Sequence, residues 1–242
     1  MLVDTLALRL RPRTNLEACD LGVRLCQLAA GSVFPCYLAV LIPTAALALA
    51  TIEIAPWIPI VALWCAKPWL DRTVLFALSR AAFSQPTALK DLWREQRRVL
   101  WSQPLLTWGR QRLSPLRSFT QPVYQLEGQR GPARRKRVRT IRMRHAHVAT
   151  GVTFLFFLTE QIFLFALLSL AFWFAPRGYA PLTDLFSGEA AWVGLALAGA
   201  YTACIALLEP FYVAAGFLMY LSRRAELEAW DIEQEFRRAF GK

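Results

Sequence analysis

Long apolar runs constrain this chain more than any other feature. Leu25–Ile52 is 28 residues without a charge, Val148–Pro176 contains only Glu160, and Ala190–Leu221 contains only Glu209. A run of about 18 or more such residues matches the roughly 20 that an α-helix needs to cross a bilayer. Inside hydrocarbon every backbone N–H and C=O must find a partner within the segment, so each run is predicted as a helix. The expected fold class is an all-α integral membrane helical bundle.

A fourth run is broken. Ile54–Ala66 is uncharged, then comes "KPWLDR" and the apolar "TVLFALSRAAF". Lys67, Pro68, Asp71 and Arg72 predict a kinked or partly interfacial helix. The distribution of charge argues that it crosses. The chain is 56% hydrophobic yet carries a net charge of +11. Residues 85–147 hold fifteen Lys and Arg against three acids, so this segment carries the whole excess. Basic segments flanking spans stay on the cytoplasmic side. The "IEIAPW" turn has no base, and Arg177–Glu189 has one Arg and two acids, so both suit the outer side. Arg9, Arg11, Arg13 and Arg24 place the N-terminus inside, and Arg223, Arg224, Arg237, Arg238 and Lys242 do the same for the C-terminus.

Four transmembrane helices with cytoplasmic N- and C-termini satisfy all of these assignments. The predicted single membrane domain, 1–242, therefore divides as follows. Residues 1–28 form a cytoplasmic and interfacial part with a helix over Asn15–Leu28. Span 1 is 29–52, and 55–84 is the kinked span 2 with its cytoplasmic extension. The basic segment is 85–147, span 3 is 148–175, the outer loop 176–189 and span 4 190–221. A cytoplasmic amphipathic helix closes the chain at 222–242.

Within the basic segment, "TALKDLWREQRRVLWSQPLLTWGRQRL" reads as two amphipathic helical pieces broken at Pro104. "SPLRSFTQPVYQLEG" reads as extended chain with turns, and "RGPARRKRVRTIRMRHAH" as the basic start of span 3. Arg134, Arg135, Lys136, Arg137 and Arg139 are candidates for contact with anionic lipid headgroups, at about 1 kcal/mol per base near the surface. Nucleic acid is not an expected partner, because the positive-inside pattern accounts for the charge and no nucleic-acid-binding motif is present.

No HExxH, GxSxG, Walker A or GxGxxG motif occurs, so no catalytic residue, cofactor or metal site is predicted. His145 and His147 lack a third ligand at useful spacing. The five Cys, at 19, 26, 36, 65 and 204, have no CxxC spacing and read as packed thiols. The candidate site residues are the intramembrane charges Lys67, Glu160 and Glu209. An ionisable group inside a span is costly and usually faces the bundle interior with a partner. Lys67 is expected to face Glu160 or Glu209, either as a packing ion pair or as part of a proton, ion or substrate path. Gly194, Ala198, Ala200 and Cys204 on span 4, and Ala46, Ala48 and Ala50 on span 1, are candidate close-packing residues.

The last helical pattern changes solvent at Tyr220 without a turn. Tyr220 suits the headgroup level, with Arg223 and Arg224 as boundary anchors. Ala229, Ile232, Phe236, Ala239 and Phe240 then form one apolar stripe with Trp230 at its edge. Glu226, Glu228, Asp231, Glu233 and Glu235 make this stretch acidic. An acidic helix is expected to leave the anionic leaflet and dock on the basic segment, its stripe on Leu92–Trp108 and its acids on Arg94–Arg98 or Arg134–Arg139.

"PFYVAAGFLMYLSRRAELEAWDIEQEFRRAF" resembles the C-terminal YLxRRxxLEAWDIExxFRR signature of a group of uncharacterised multi-pass inner-membrane proteins of Gram-negative bacteria. "KPWLDRTVLFALSRAAF" and "SFTQPVYQLEG" resemble further marks of that group. The ending is more distantly similar to the membrane domain of some bacterial glycerophosphodiester phosphodiesterases, whose catalytic domain this chain lacks. The resemblance implies a bacterial inner-membrane location and, from gene neighbours of AAA-type ATPase and transglutaminase-like kinds, a role in a cell-envelope assembly. The leading expectation is a non-enzymatic scaffold or subunit, with other envelope membrane proteins or further copies of itself as partners. The alternative is a small oligomeric transporter or channel-like protein using Glu160, Glu209 and Lys67.

Overall fold

The structure is a computed structural model that describes residues 13–102, 114–173 and 191–228. Those residues are helical, with no strand among them. Among the described residues eight helices follow one another: α1 (Asn15–Leu28), α2 (Ala30–Leu49), α3 (Ile58–Ala81), α4 (Leu89–Leu100), α5 (Arg117–Gln125), α6 (Gly131–Arg142), α7 (Ala146–Trp173) and α8 (Ala191–Glu228). Three are long and apolar enough to cross a membrane: Ala30–Leu49, Ala146–Leu170 and Gly194–Glu228.

α8 is the axis of the bundle. Its 38 residues give about 57 Å at 1.5 Å per residue. It runs through Tyr220 without a break and reaches Glu228, the last residue described there. α1 and α2 lie along it in the opposite sense. The Arg13 amide donates to Ser222 Oγ, and the Tyr37 hydroxyl donates to the Ile205 carbonyl. Gly22 makes the α1 contact possible: a Cβ there would sit 2.5 Å from the Ala214 carbonyl oxygen. Thr14 caps α1 by accepting from the Glu17 amide. Ala18, Leu25 and Cys26 are buried, so α1 is packed on α8 while Leu16 and Leu28 stay exposed.

α3 answers the broken fourth run. It is one helix through Pro68, and its charged residues face inward: Lys67, Asp71 and Arg72 are all buried. Pro59 occupies its first turn, where a missing N–H costs nothing. α4 folds back along the second half of α3. Trp69 Nε1 donates to the Leu100 carbonyl, and Arg72 donates to the Val99 and Ser102 carbonyls. Its Leu92, Val99 and Leu100 are buried while Trp93 and Trp101 are exposed, an amphipathic division. The predicted second helical piece after Pro104 falls outside the described residues.

Three expectations need correction. The stretch "SPLRSFTQPVYQLEG" is not extended. Residues 117–125 form α5, a buried helix wedged against α8. At nine residues with Pro122 inside, it is too short for periodicity to reveal, and tertiary contacts stabilise it. A Cβ at Gly216 would lie 2.3 Å from Ser118 Cβ, so the two backbones touch there. Tyr220 does not face headgroups: it is fully buried, and its hydroxyl donates to Glu127. The small-residue face of α2 is only partly used, since Ala48 is buried but Ala46 and Ala50 are exposed. On α8, Gly194 sits under Pro56, and Ala198 and Cys204 are buried.

Candidate functional site

Lys67, Glu160 and Glu209 come from three helices and meet at one point. Lys67 Nζ of α3 lies 2.7 Å from Glu160 Oε2 of α7 and 2.8 Å from Glu209 Oε2 of α8. The lysine also lies over the Tyr201 ring, 5.9 Å from its centroid. Two further ions join them. Arg117, at the start of α5, pairs with Glu209, and its Nε lies 2.7 Å from Asp71 Oδ2. Asp71 and Glu209 thus converge on the same guanidinium. The Arg117 guanidinium stacks 5.2 Å from the Tyr212 ring centroid.

All five side chains are nearly dry. The most exposed is Glu160 at 12%, and Asp71 is at 0%. Opposite charges at this depth offset one another's desolvation, although neither Asp71 oxygen accepts a hydrogen bond among the described residues. Pro210 follows Glu209 directly and leaves the carbonyl of Ala206 without its helical donor.

Four of the five border a cavity of about 620 Å³ between α3, α7, α8 and the turn before α5. Lys67, Arg117, Glu160 and Glu209 line its base. Its walls are apolar and aromatic, including Trp64, Phe156, Phe157, Tyr201 and Tyr212. Val61, Trp64 and Phe157 are at once cavity-lining and exposed on the outer face of the helices, so the cavity opens sideways between α3 and α7. α7 holds this gap from the α8 side. Phe156 packs edge-on against Tyr212 at 5.6 Å, and Thr153 Oγ1 lies 3.2 Å from the Tyr212 hydroxyl.

No protein-family model, curated protein or solved structure matches the chain. The resemblance drawn from the C-terminal signature therefore rests on sequence alone, and the geometry has to speak for function.

The basic candidates divide. Arg137 of α6 forks onto both oxygens of Glu127, at 3.0 and 3.1 Å from Nε, and also pairs with Glu228 of α8. The hydrogen bond to Glu127 is the main force holding Arg137 in its charged form. Arg135, Lys136 and Arg139 are exposed, and Arg134 is half-buried. Arg224 pairs with Glu228 at 2.9 Å, and Arg223 with Glu226 at 2.6 Å. Glu228 thus does meet the basic segment, at Arg137. Trp230, Asp231, Glu233 and the apolar stripe lie outside the described residues.

His145 does not stand with His147 as a ligand pair. Its Nδ1 lies 2.7 Å from Asn15 Oδ1, and its Nε2 3.5 Å from Glu226. No group of three or more His, Cys, Asp or Glu able to hold a metal occurs among the described residues. The five thiols are free, and burial pushes Cys19 up to about 11, far from a reactive thiolate. Asp71, Arg117 and Tyr212 were not picked out by the sequence. Asp71 read as part of the interruption in span 2, and Arg117 as one of fifteen bases.

Proposed function

We propose that this is a non-enzymatic integral protein of a bacterial inner membrane that binds a small amphipathic solute entering from the bilayer, as the substrate site of a small transporter. One observation carries the reading: a cavity of about 620 Å³ with apolar walls, a charged floor and a sideways mouth. Small-molecule sites run to roughly 300–1,000 Å³ and combine apolar walls with a few convergent polar groups. Ionisable groups held inside a membrane helix bundle characteristically mark substrate, ion or proton pathways.

The reading includes four crossings with both termini cytoplasmic. α3 supplies the fourth. Its 24 residues give about 36 Å, enough for a hydrocarbon core of about 30 Å. Its charges point into the bundle, so lipid would meet Val61 and Trp64 instead. The exposed Arg135, Lys136 and Arg139 would then lie on the cytoplasmic side, where anionic headgroups attract them.

Mass spectrometry of the full chain released gently from its own membranes tests the solute reading. We expect about one small-molecule adduct per chain, as for a single pocket, removed by Thr153→Trp, which fills the cavity from α7. A spectrum with no adduct sensitive to that substitution overturns it.

A scaffold or subunit role in a cell-envelope complex is the second reading. It is favoured by α7, whose Phe154, Leu155, Ile162 and Phe165 are exposed. This face fits other membrane helices, either of envelope partners or of a second copy.

A further inference from the structure

Among the described residues, the charges of the cluster beside the cavity do not balance. Lys67 and Arg117 face three carboxyl groups, Asp71, Glu160 and Glu209. With all five ionised, one negative charge is left over. A buried uncompensated charge is strongly disfavoured and is neutralised where chemistry permits. Asp71 and Glu209 supply the place, since both carboxyl groups converge on the one Arg117 guanidinium, and Asp71 is wholly buried with neither oxygen accepting a hydrogen bond among the described residues. The resting cluster therefore holds one proton.

Other nearby groups leave this count unchanged. Tyr37 of α2 keeps its proton and donates a hydrogen bond to the Ile205 carbonyl. Tyr201 and Tyr212 of α8 present ring faces to Lys67 and Arg117. Cys204 of α8 is a buried thiol. Arg72, beside Asp71 in the chain, turns its guanidinium to the Val99 and Ser102 carbonyls and the Tyr124 ring.

An anionic solute is a poor fit. Both cations are already engaged, Lys67 by two carboxylates and Arg117 by two. A cation is a good fit. Glu160 is the most exposed of the five side chains and pairs only through Oε2 among the described residues. Trp64, Phe156 and Phe157 line the cavity, and a cation that lies over an aromatic ring is attracted by its quadrupole.

We infer that the cavity takes a lipophilic organic monocation at Glu160 and releases one proton from the Asp71–Glu209 pair in exchange. This rests on reading the cavity as a solute site. Charge is conserved in the step. The cation enters and pairs with Glu160, Lys67 shifts toward Glu209, and the proton shared with Asp71 leaves to water. No bond other than O–H breaks.

Tetraphenylphosphonium is a suitable probe for the full chain in detergent micelles. Calorimetry in two buffers of different ionisation enthalpy counts the protons released on binding. We expect one per bound cation, and affinity that rises by about tenfold per pH unit where one proton is exchanged. Glu160→Gln should lower affinity by about a hundredfold, as expected for losing the partner of a buried charge. Asp71→Asn, at a residue that does not line the cavity, should bind the probe more weakly and release no proton. Thermal melting establishes that each variant is folded. Should Asp71→Asn not fold, the proton count of the unaltered chain decides. Binding without proton release overturns the exchange. Dodecyl phosphate bound in place of the phosphonium overturns the cation inference and leaves the cavity reading standing. Binding of neither, by a chain that still melts cooperatively, overturns both.

Discussion

Two ionic clusters tie this bundle together, and water divides them. The first joins Lys67, Asp71, Arg117, Glu160 and Glu209, with side-chain exposures of 0–12%. The second joins Glu127, Arg137, Arg224 and Glu228 beside Tyr220, with exposures of 9–31%. The ion chemistry is the same, carboxylate to guanidinium or ammonium. What differs is what happens when one partner goes. In the first cluster the survivor stays dry and loses compensating charge. In the second, water reaches it. The difference separates a dry cluster at the meeting of α3, α5, α7 and α8 from a wetter one that fastens α6 to the end of α8.

The largest effect should follow from removing the shared cation of the dry cluster. Lys67→Met strips Glu160 of its partner and leaves Glu209 with Arg117 alone. Breaking a buried pair from one side costs about 3–5 kcal/mol in soluble proteins. We expect a clear fall in melting temperature in detergent. The double variant with Glu160→Gln should recover part of it, because one carboxylate fewer is stranded. Equal melting of single and double variants would show that no energetic pair joins these residues.

A smaller effect belongs to the wet cluster. Arg137→Ala removes a two-pronged contact with Glu127 and the link to Glu228. Tyr220 still donates to Glu127, and Arg224 still holds Glu228. The expected loss is about 1 kcal/mol, at the upper end for partly exposed pairs, and it should shrink in high salt. A loss as great as that from Lys67→Met, unchanged by salt, would erase the distinction between the two clusters.

The contrast also explains what could be read from the sequence. Glu160 and Glu209 stand alone in apolar runs, so their cost advertises them, and Lys67 is the base at comparable depth. Arg117 is hidden because it belongs to a segment where bases are common. The usable signal was its context: residues 118–126 carry no charge inside an otherwise highly charged stretch. That gap is α5, buried against α8. Asp71 was read as an interruption because hydropathy cannot tell a charge facing lipid from one facing a bundle. The same limit applies to Tyr220. Its amphipathic ring suits an interface, but the face of α8 that carries it is fixed by Glu127, 93 residues away in the chain. Helix continuity through Tyr220 was legible locally, since nothing there breaks a helix.

The smallest effect belongs to His145, which ties the start of α1 to the end of α8. Its Nδ1 faces Asn15 Oδ1, an acceptor, so a neutral ring with the proton on Nδ1 satisfies the contact. Burial lowers the His145 pKa below its usual value, and Glu226, 3.5 Å from Nε2, works against that without reversing it. The unfolded chain therefore takes up this proton at higher pH than the folded one. Stability from the neutral ring is fully present above about pH 6.5, the unperturbed value, and is lost as pH falls through the depressed folded value. The ring is only partly dry, so solvent screening trims the effect to a few tenths of a kcal/mol, or about 1 °C in melting temperature. His145→Gln keeps a donor for Asn15 and cannot titrate. Between about pH 7.5 and 5.5, a window centred on the ordinary histidine pKa, the unaltered chain should lose stability relative to this variant. A chain that gains stability relative to His145→Gln on acidification would mean that the pairing with Glu226 outweighs burial. The α1–α8 junction would then belong with the wet cluster as an ion-paired fastening.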